Sequence, residues 1–391
     1  MHALAMKSST SPPMQIRMAV TGDQNFFAQK RMSLLFDTLQ ELGVDLDRVP
    51  IDNVFDSKWL RATAKRILSR LPVPVRTTGR ASGMRKSAGS YIKQSQRCEL
   101  AIRNLGQKPD FVLHLFGMYC PFWEKFDIPF AMYLDYTMAL ARRTWEPWAP
   151  FAKKGDLQAW LDCEAIAYEK ASCIFTFSNL VKRSLVEDYG VCGEKVIVVG
   201  AAGQFSKPYE GPKEFGSHRL LFNATNFERK GGDLVLSAFQ KIRAACPTAE
   251  LLIVGGDESA GSSPGVKQLG FVSGAGAMER LFLDCDILVA PARCEPYGQL
   301  LVEAANYGLP CIVSNRGGMK EIVEHDVSGI VLADLSVNAL AEAVIGLLQD
   351  QTRLKRYSRA GRDKVKMDLN WISIGGKMHA EICKRLPGCT I

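Results

Sequence analysis

Residues 286–307 read DILVAPARCEPYGQLLVEAANY, and the order of residue types dictates a local shape. The apolar run 286–290 predicts a buried strand, which Pro291 closes because proline cannot donate to a ladder. Residues 293–298 turn the chain, and 299–307 return to helical spacing. Polar groups thus gather at the carboxyl end of a strand, where open α/β sheets bind ligands. The N–H groups of Gly298, Gln299, Leu300 and Leu301 predict an anion site, with Gly298 allowing close backbone approach. Glu295 lies in the turn and Glu303 one helical turn further on. Carboxylates repel phosphate, so these two suit hydroxyl groups, with a cap or an ion-pair partner as the plainer role.

A second segment has the same form. Residues 219–223 predict a strand, Phe227-Glu228-Arg229-Lys230-Gly231-Gly232 turns the chain, and a helix follows over 233–245. Arg229 offers a planar fork and Lys230 a point charge, a pair suited to a doubly charged anion. Further strands are expected at 15–20, 111–115, 130–134, 173–177, 196–199, 250–254, 311–313 and 329–331, and a further helix at 337–348. Strands alternating with helices indicate parallel sheets built from β-α-β units. The fold class is therefore α/β, with two doubly wound sheets. Gly and Pro cluster over 200–216, which places a boundary between a domain of residues 1–205 and one of 206–371.

The whole chain of 391 residues is long enough for two such domains, and its 47% apolar and 23% charged residues are ordinary globular composition. The longest run free of Asp, Glu, Lys and Arg, residues 111–123, is too short to span a bilayer. The first residues lack the pattern of a secretory signal, and the 11 cysteines stand singly without a C-x-x-C pair. Both point to a cytoplasmic protein with reduced thiols and no zinc. Net charge is +7 over residues 1–200 and +1 over the rest. Residues 57–98 hold 11 basic side chains and no acidic one, and Trp59, Leu60, Ala64, Ile67, Leu68 and Leu71 recur beneath them at helical spacing. This is the pattern of a basic amphipathic helix on an anionic membrane surface, or of a solvated helix covering the core.

The nine residues Glu295 to Glu303, E-P-Y-G-Q-L-L-V-E, resemble the E-x7-E motif of family 4 (group 1) retaining glycosyltransferases. F-E-R-K-G-G-D is similar to their phosphate-binding segment, and A-Y-E-K-A-S-C-I-F-T-F-S with V-I-V-V-G to the end of their first domain. L-L-I-V-G-G-D, L-G-F-V-S, G-L-P-C-I-V-S-N-R-G-G and V-S-G-I-V-L follow in the family's order, so the resemblance covers residues 110–375. It implies a GT-B architecture: two facing Rossmann-like domains with a nucleotide-diphosphate sugar in the cleft, no metal and no cofactor. It assigns Glu295 to the donor sugar's hydroxyls, Glu303 to the ribose, and Arg229 and Lys230 to the diphosphate. Gly255, Gly256, Phe271 and Val272 would line the base pocket, Gly22 would lie near the diphosphate, and Asp135 in Y-L-D-Y-T-M would approach the transferred sugar, unless it is a cap or turn. Asn370-Trp371 resembles the start of the terminal helix that crosses back to the first domain, here residues 372–391.

The chain departs from the family pattern twice. Asn223-Ala224-Thr225-Asn226 stands where many members carry an Arg, and Thr21-Gly22-Asp23 replaces a double-glycine loop. The implied activity is retaining transfer of a hexose-type sugar to a saccharide or lipid-linked acceptor, in cell-envelope polysaccharide or glycolipid synthesis. A sugar-nucleotide-binding protein without catalysis and a GT-B epimerase are the alternatives. A glycosidase-type carboxylate pair leaves the adjacent anion site without a role. The run Val272 to Glu279 carries Glu279 where a dinucleotide fingerprint needs a small residue, and no P-loop, H-E-x-x-H or nucleic-acid motif occurs. His114, in an apolar strand, is read as a core residue or as lining the cleft.

Overall fold

The computed structural model describes residues 15–27, 29–52, 86–151, 154–256 and 263–387. The first domain is built on β1 (Arg17–Asp23), β2 (Asp45–Ile51), β3 (Phe111–Leu115), β4 (Phe130–Leu134), β5 (Cys173–Thr176) and β6 (Val196–Val198). These form one parallel sheet in the order β2-β1-β3-β4-β5-β6. The second domain holds β7 (Arg219–Asn223), β8 (Glu250–Val254), β9 (Val266–Gly270), β10 (Ile287–Ala290), β11 (Cys311–Ser314) and β12 (Gly329–Leu332). Its sheet is also parallel, in the order β12-β11-β10-β7-β8-β9. Residues of β3 and β4 are buried at every position, as expected of central strands covered on both faces.

Two strands, β2 and β9, escaped the sequence reading. Both are sheet edges, where one side meets water and the apolar signal is weak. β2 reads DLDRVPI and carries a proline, tolerable at an edge, and β9 reads VKQLG with its middle residues exposed. β1 also runs three residues beyond its expected end, so Thr21-Gly22-Asp23 completes a strand instead of forming a loop. In the basic segment, residues 57–85 and the amphipathic pattern over Trp59 to Leu71 lie outside the described residues. No helix among the described residues is long and apolar enough to cross a membrane. The described cysteines are all buried except Cys192.

Residues 199–218 pass between the sheets without helix or strand. The chain then returns: Asn370 caps the helix Trp371–Cys383 by accepting from the Ser373 N–H at 2.9 Å. This helix packs on the first domain's helix Lys30–Glu41, and a Cβ on Gly375 would stand 2.7 Å from Thr38 Cγ2. Trp371 is 2% exposed, and its Nε1 donates to the Gly203 carbonyl at 2.9 Å. Tyr297 packs edge-on against Phe177 of the first domain, and its hydroxyl accepts from the Ala201 N–H at 3.3 Å. The Glu321 carboxylate accepts from the N–H groups of Asn179 at 2.7 Å and Leu180 at 3.0 Å, capping the helix Asn179–Tyr189 across the domain boundary.

Trp371→Ala removes a buried indole from this seam and leaves a cavity plus an orphaned carbonyl. The expected loss is about 3–5 kcal/mol, read as a lower midpoint in urea unfolding.

Candidate active site

The order of the second sheet reverses direction between β7 and β10, so a crevice opens there at the carboxyl ends of the strands. The segment after β7 carries Arg229 and Lys230, and the turn after β10 carries Glu295, so strand order brings them together. Two glycines permit the approach. Gly231 (φ +77°) would place a Cβ 2.3 Å from the Pro291 carbonyl oxygen, and Gly317 (φ +72°) one 1.8 Å from that of Glu295. The Arg293 N–H donates to the Arg229 carbonyl at 2.8 Å, and its guanidinium grips Asp233 through both nitrogens at 2.6 and 2.7 Å.

Within this frame the Glu295 carboxylate is largely buried, and Oε2 pairs with Lys230 Nζ and with Arg229 NH1, the latter at 3.1 Å. Burial alone would raise the Glu295 pKa, but the two cations outweigh it and hold the carboxyl below its usual range. Arg229 NH1 also donates to the Cys294 carbonyl at 2.7 Å, and the guanidinium lies 5.0 Å from the ring centroid of Trp148 in the first domain. Gly298 and Leu300 line the same small recess as Lys230 and Glu295. Gln299 opens the helix Gln299–Asn306, and its side chain bridges to the first domain, donating to the Ala202 carbonyl at 3.0 Å and accepting from Arg31.

One turn along, Glu303 Oε1 accepts from the Gln204 N–H at 3.1 Å. Burial raises the Glu303 pKa, partly countered by Gln204 and by the Arg31 charge. Glu303, Phe271 and Val272 line a cavity of about 460 Å³ with Tyr307, Phe282 and Met278. Phe271 is 87% exposed, an apolar face free to stack. Gly255 and Gly256 do not line this cavity. They fold against residues 223–225, where Cβ atoms would meet Thr225 Oγ1 at 2.8 Å and the Ala224 carbonyl at 2.7 Å. Gly22 packs against Leu115 and Phe27 at the end of β1.

Asp135 follows β4 and lines a second cavity of about 400 Å³ in the first domain, with Tyr136, Trp148, Lys86 and Glu164. Burial pushes its pKa up to about 6 against the pull of Arg31, and the Glu295 charge adds to the rise. In that cavity burial also lowers Lys86 to about 8 and raises Glu164 to about 7. His114 is a core residue: it is 0% exposed, Nδ1 lies 2.7 Å from Thr21 Oγ1, and burial lowers its pKa to about 3. Arg31, Trp148 and Gln204 are neighbours of the site that the sequence reading missed. Each belongs to the domain or connection facing the motif residues, and no local pattern marks it.

The sequence profile of glycosyl transferases group 1 matches residues 211–364, the segment that carries Arg229, Lys230, Glu295 and Glu303. Over this domain the chain is similar to the group 1 glycosyl transferases. A glycogen synthase of Mycobacterium tuberculosis is 25% identical over 267 residues, which cover 64% of this chain and 62% of that protein. A GDP-mannose-dependent alpha-(1-6)-phosphatidylinositol monomannoside mannosyltransferase of the same organism is 31% identical over 166 residues, 38% of this chain and 43% of that one. The chain thus spans less than two thirds of these relatives. In three dimensions the chain resembles sucrose-phosphate synthase from Thermosynechococcus elongatus with a TM-score of 0.68 at 16% identity, over 95% of this chain and 99% of that one. Anabaena HepE in complex with UDP and glucose gives 0.62 at 13% identity, over 94% and 100%. The fold is GT-B, as the resemblance implied.

The raised Asp135 pKa has a definite consequence for stability. A carboxyl that binds its proton more tightly when folded stabilises the native state at low pH, and that stability is lost as pH rises from about 4 through about 6. Asp135→Asn removes the titration, so the melting temperature of the variant relative to the parent should climb across this interval in a calorimetric pH series.

Proposed function

We propose that this chain is a metal-independent, retaining glycosyltransferase. It moves a hexose-type sugar from a nucleotide-diphosphate donor to a saccharide or lipid-linked acceptor held against the first domain. The observation that carries this reading is the cluster of Lys230, Arg229 and Glu295 at the strand crossover, in a segment that matches group 1 glycosyl transferases. Breaking the anomeric C–O bond leaves a diphosphate anion and a cationic sugar. Lys230 and Arg229 stabilise the anion, which lowers the barrier most where water is excluded. Glu295, released from its cations as the phosphates take them, accepts from the sugar hydroxyls, and Glu303 accepts from the ribose. The exposed Phe271 ring suits the face of a base. A phosphate oxygen takes the proton of the acceptor hydroxyl as it attacks from the side the diphosphate leaves, and configuration is retained.

The acceptor side rests on the cavity that Asp135 and Trp148 line, next to Arg229. The mannosyltransferase relative is named for a phosphatidylinositol mannoside substrate, and with the basic residues 57–98 this favours a lipid-linked acceptor at the cytoplasmic face of a membrane, in envelope polysaccharide or glycolipid assembly.

Turnover of UDP-glucose, GDP-mannose and ADP-glucose, followed by proton NMR of the product anomer, tests the reading. One donor should be consumed, with retention and without loss in EDTA. Lys230→Ala should lower kcat/KM about 10²–10³-fold, in the range for removing a group that stabilises transition-state charge. Inversion at the anomeric carbon, or full activity of Lys230→Ala, would falsify the proposal. A new epimer from donor alone would select the epimerase, and binding of a donor without turnover the non-catalytic alternative.

The membrane part has its own measurement. Co-sedimentation with vesicles containing about one-third anionic lipid should fall as salt is raised, because exposed charges are screened beyond a Debye length of about 10 Å at 0.1 M. Binding indifferent to both salt and lipid charge would remove it.

A further inference from the structure

We propose that Arg31, on the first domain, is a third diphosphate-binding cation that closes over the donor from the side opposite Lys230 and Arg229. The inference rests on the donor-site reading above and adds to it a residue outside the motif segments.

Arg31 is the second residue of the helix Lys30–Glu41, whose first turn contains no acidic side chain. A cation there opposes the positive end of the helix dipole, a local cost that calls for compensation elsewhere. Among the described residues that compensation is missing: the Arg31 side chain is part-buried, and no carboxylate lies within ion-pair distance of it. Among the described residues NH1 donates to the neutral Gln299 side chain, and the buried Nε has no hydrogen-bond partner. A buried guanidinium left without an anion is destabilising, whereas its planar fork matches two oxygens of a phosphate.

The position of the side chain says which phosphate. Gln299 is the first residue of the helix Gln299–Asn306, and its neighbours Gly298 and Leu300 line the recess that holds Lys230 and Glu295. Asp135, assigned to the sugar end of the donor, and Glu303, assigned to its ribose end, both act electrostatically on Arg31. The diphosphate is the part of the donor that joins those two ends. In the structure the Gln299 amide oxygen accepts the hydrogen bond that a phosphate oxygen would take. The donor would then draw a ligand from each domain, and its binding would favour closure of the cleft.

The experiment is calorimetric titration of the full chain with UDP, GDP and ADP, and with the matching nucleosides. It compares wild type, Arg31→Met, Arg31→Lys and Lys230→Met. Arg31→Met should weaken the diphosphate that the wild type binds by roughly ten- to hundredfold, the range for losing a charged hydrogen bond. It should leave the nucleoside affinity unchanged, and Arg31→Lys should recover part of the loss. A structural role would weaken nucleoside and diphosphate alike, and that result overturns the proposal. So does unchanged diphosphate binding by Arg31→Met while Lys230→Met loses it, an outcome that leaves the donor site standing. A wild type that binds none of the three diphosphates overturns the donor-site reading and this inference with it.

Discussion

The Glu295 carboxylate, held between Lys230 and Arg229, is the contact on which the cleft depends. A charge removed from water is tolerated only with partners, so the two crossing loops must meet closely enough for both cations to reach one carboxylate. Gly231 and Gly317 supply that closeness, and the Arg293–Asp233 pair anchors the base of the crossing. Because Arg229 also lies over Trp148, the same contact ties the chemistry of one domain to the position of the other. The cations and the carboxylate satisfy one another, which keeps the site charged and ordered.

Three carboxyl groups near the cleft are tuned in different directions by their surroundings. Glu295 is held low by two cations despite its burial, whereas burial dominates at Glu303 and at Asp135. The group nearest the cations therefore stays an acceptor over the widest pH range. Asp135, facing the first-domain cavity, changes charge close to neutrality. The Arg31 charge moderates both raised groups, one on each domain, so the electrostatics of the two domains are coupled.

The seam between the domains is apolar at one end and polar at the other. Trp371, Tyr297 and Phe177 bury aromatic area where the terminal helix returns, and Glu321 caps a first-domain helix. The site contributes the hydrogen bonds of Gln299 and Gln204. Apolar burial is insensitive to small displacements along the seam, while hydrogen bonds are directional. The polar contacts therefore fix the register of the two domains at the site, while the apolar contacts hold them together without specifying it.

The central strands were legible because burial on both faces leaves an unbroken apolar run, as in FVLHL and FAMYL, and strands with that signature fell where it placed them. The edge strands β2 and β9 were not, because half of each faces water and polar residues suffice there. The order of residues also specified the cations, the carboxylates and the strand-turn-helix units that bear them, since charge and backbone freedom are local properties. It could not specify that Lys230 and Glu295, 65 positions apart, share an ion pair, nor that Arg31 meets a helix 268 positions later. Those meetings follow from strand order and from the docking of two domains, which depend on the packing of the whole chain at once.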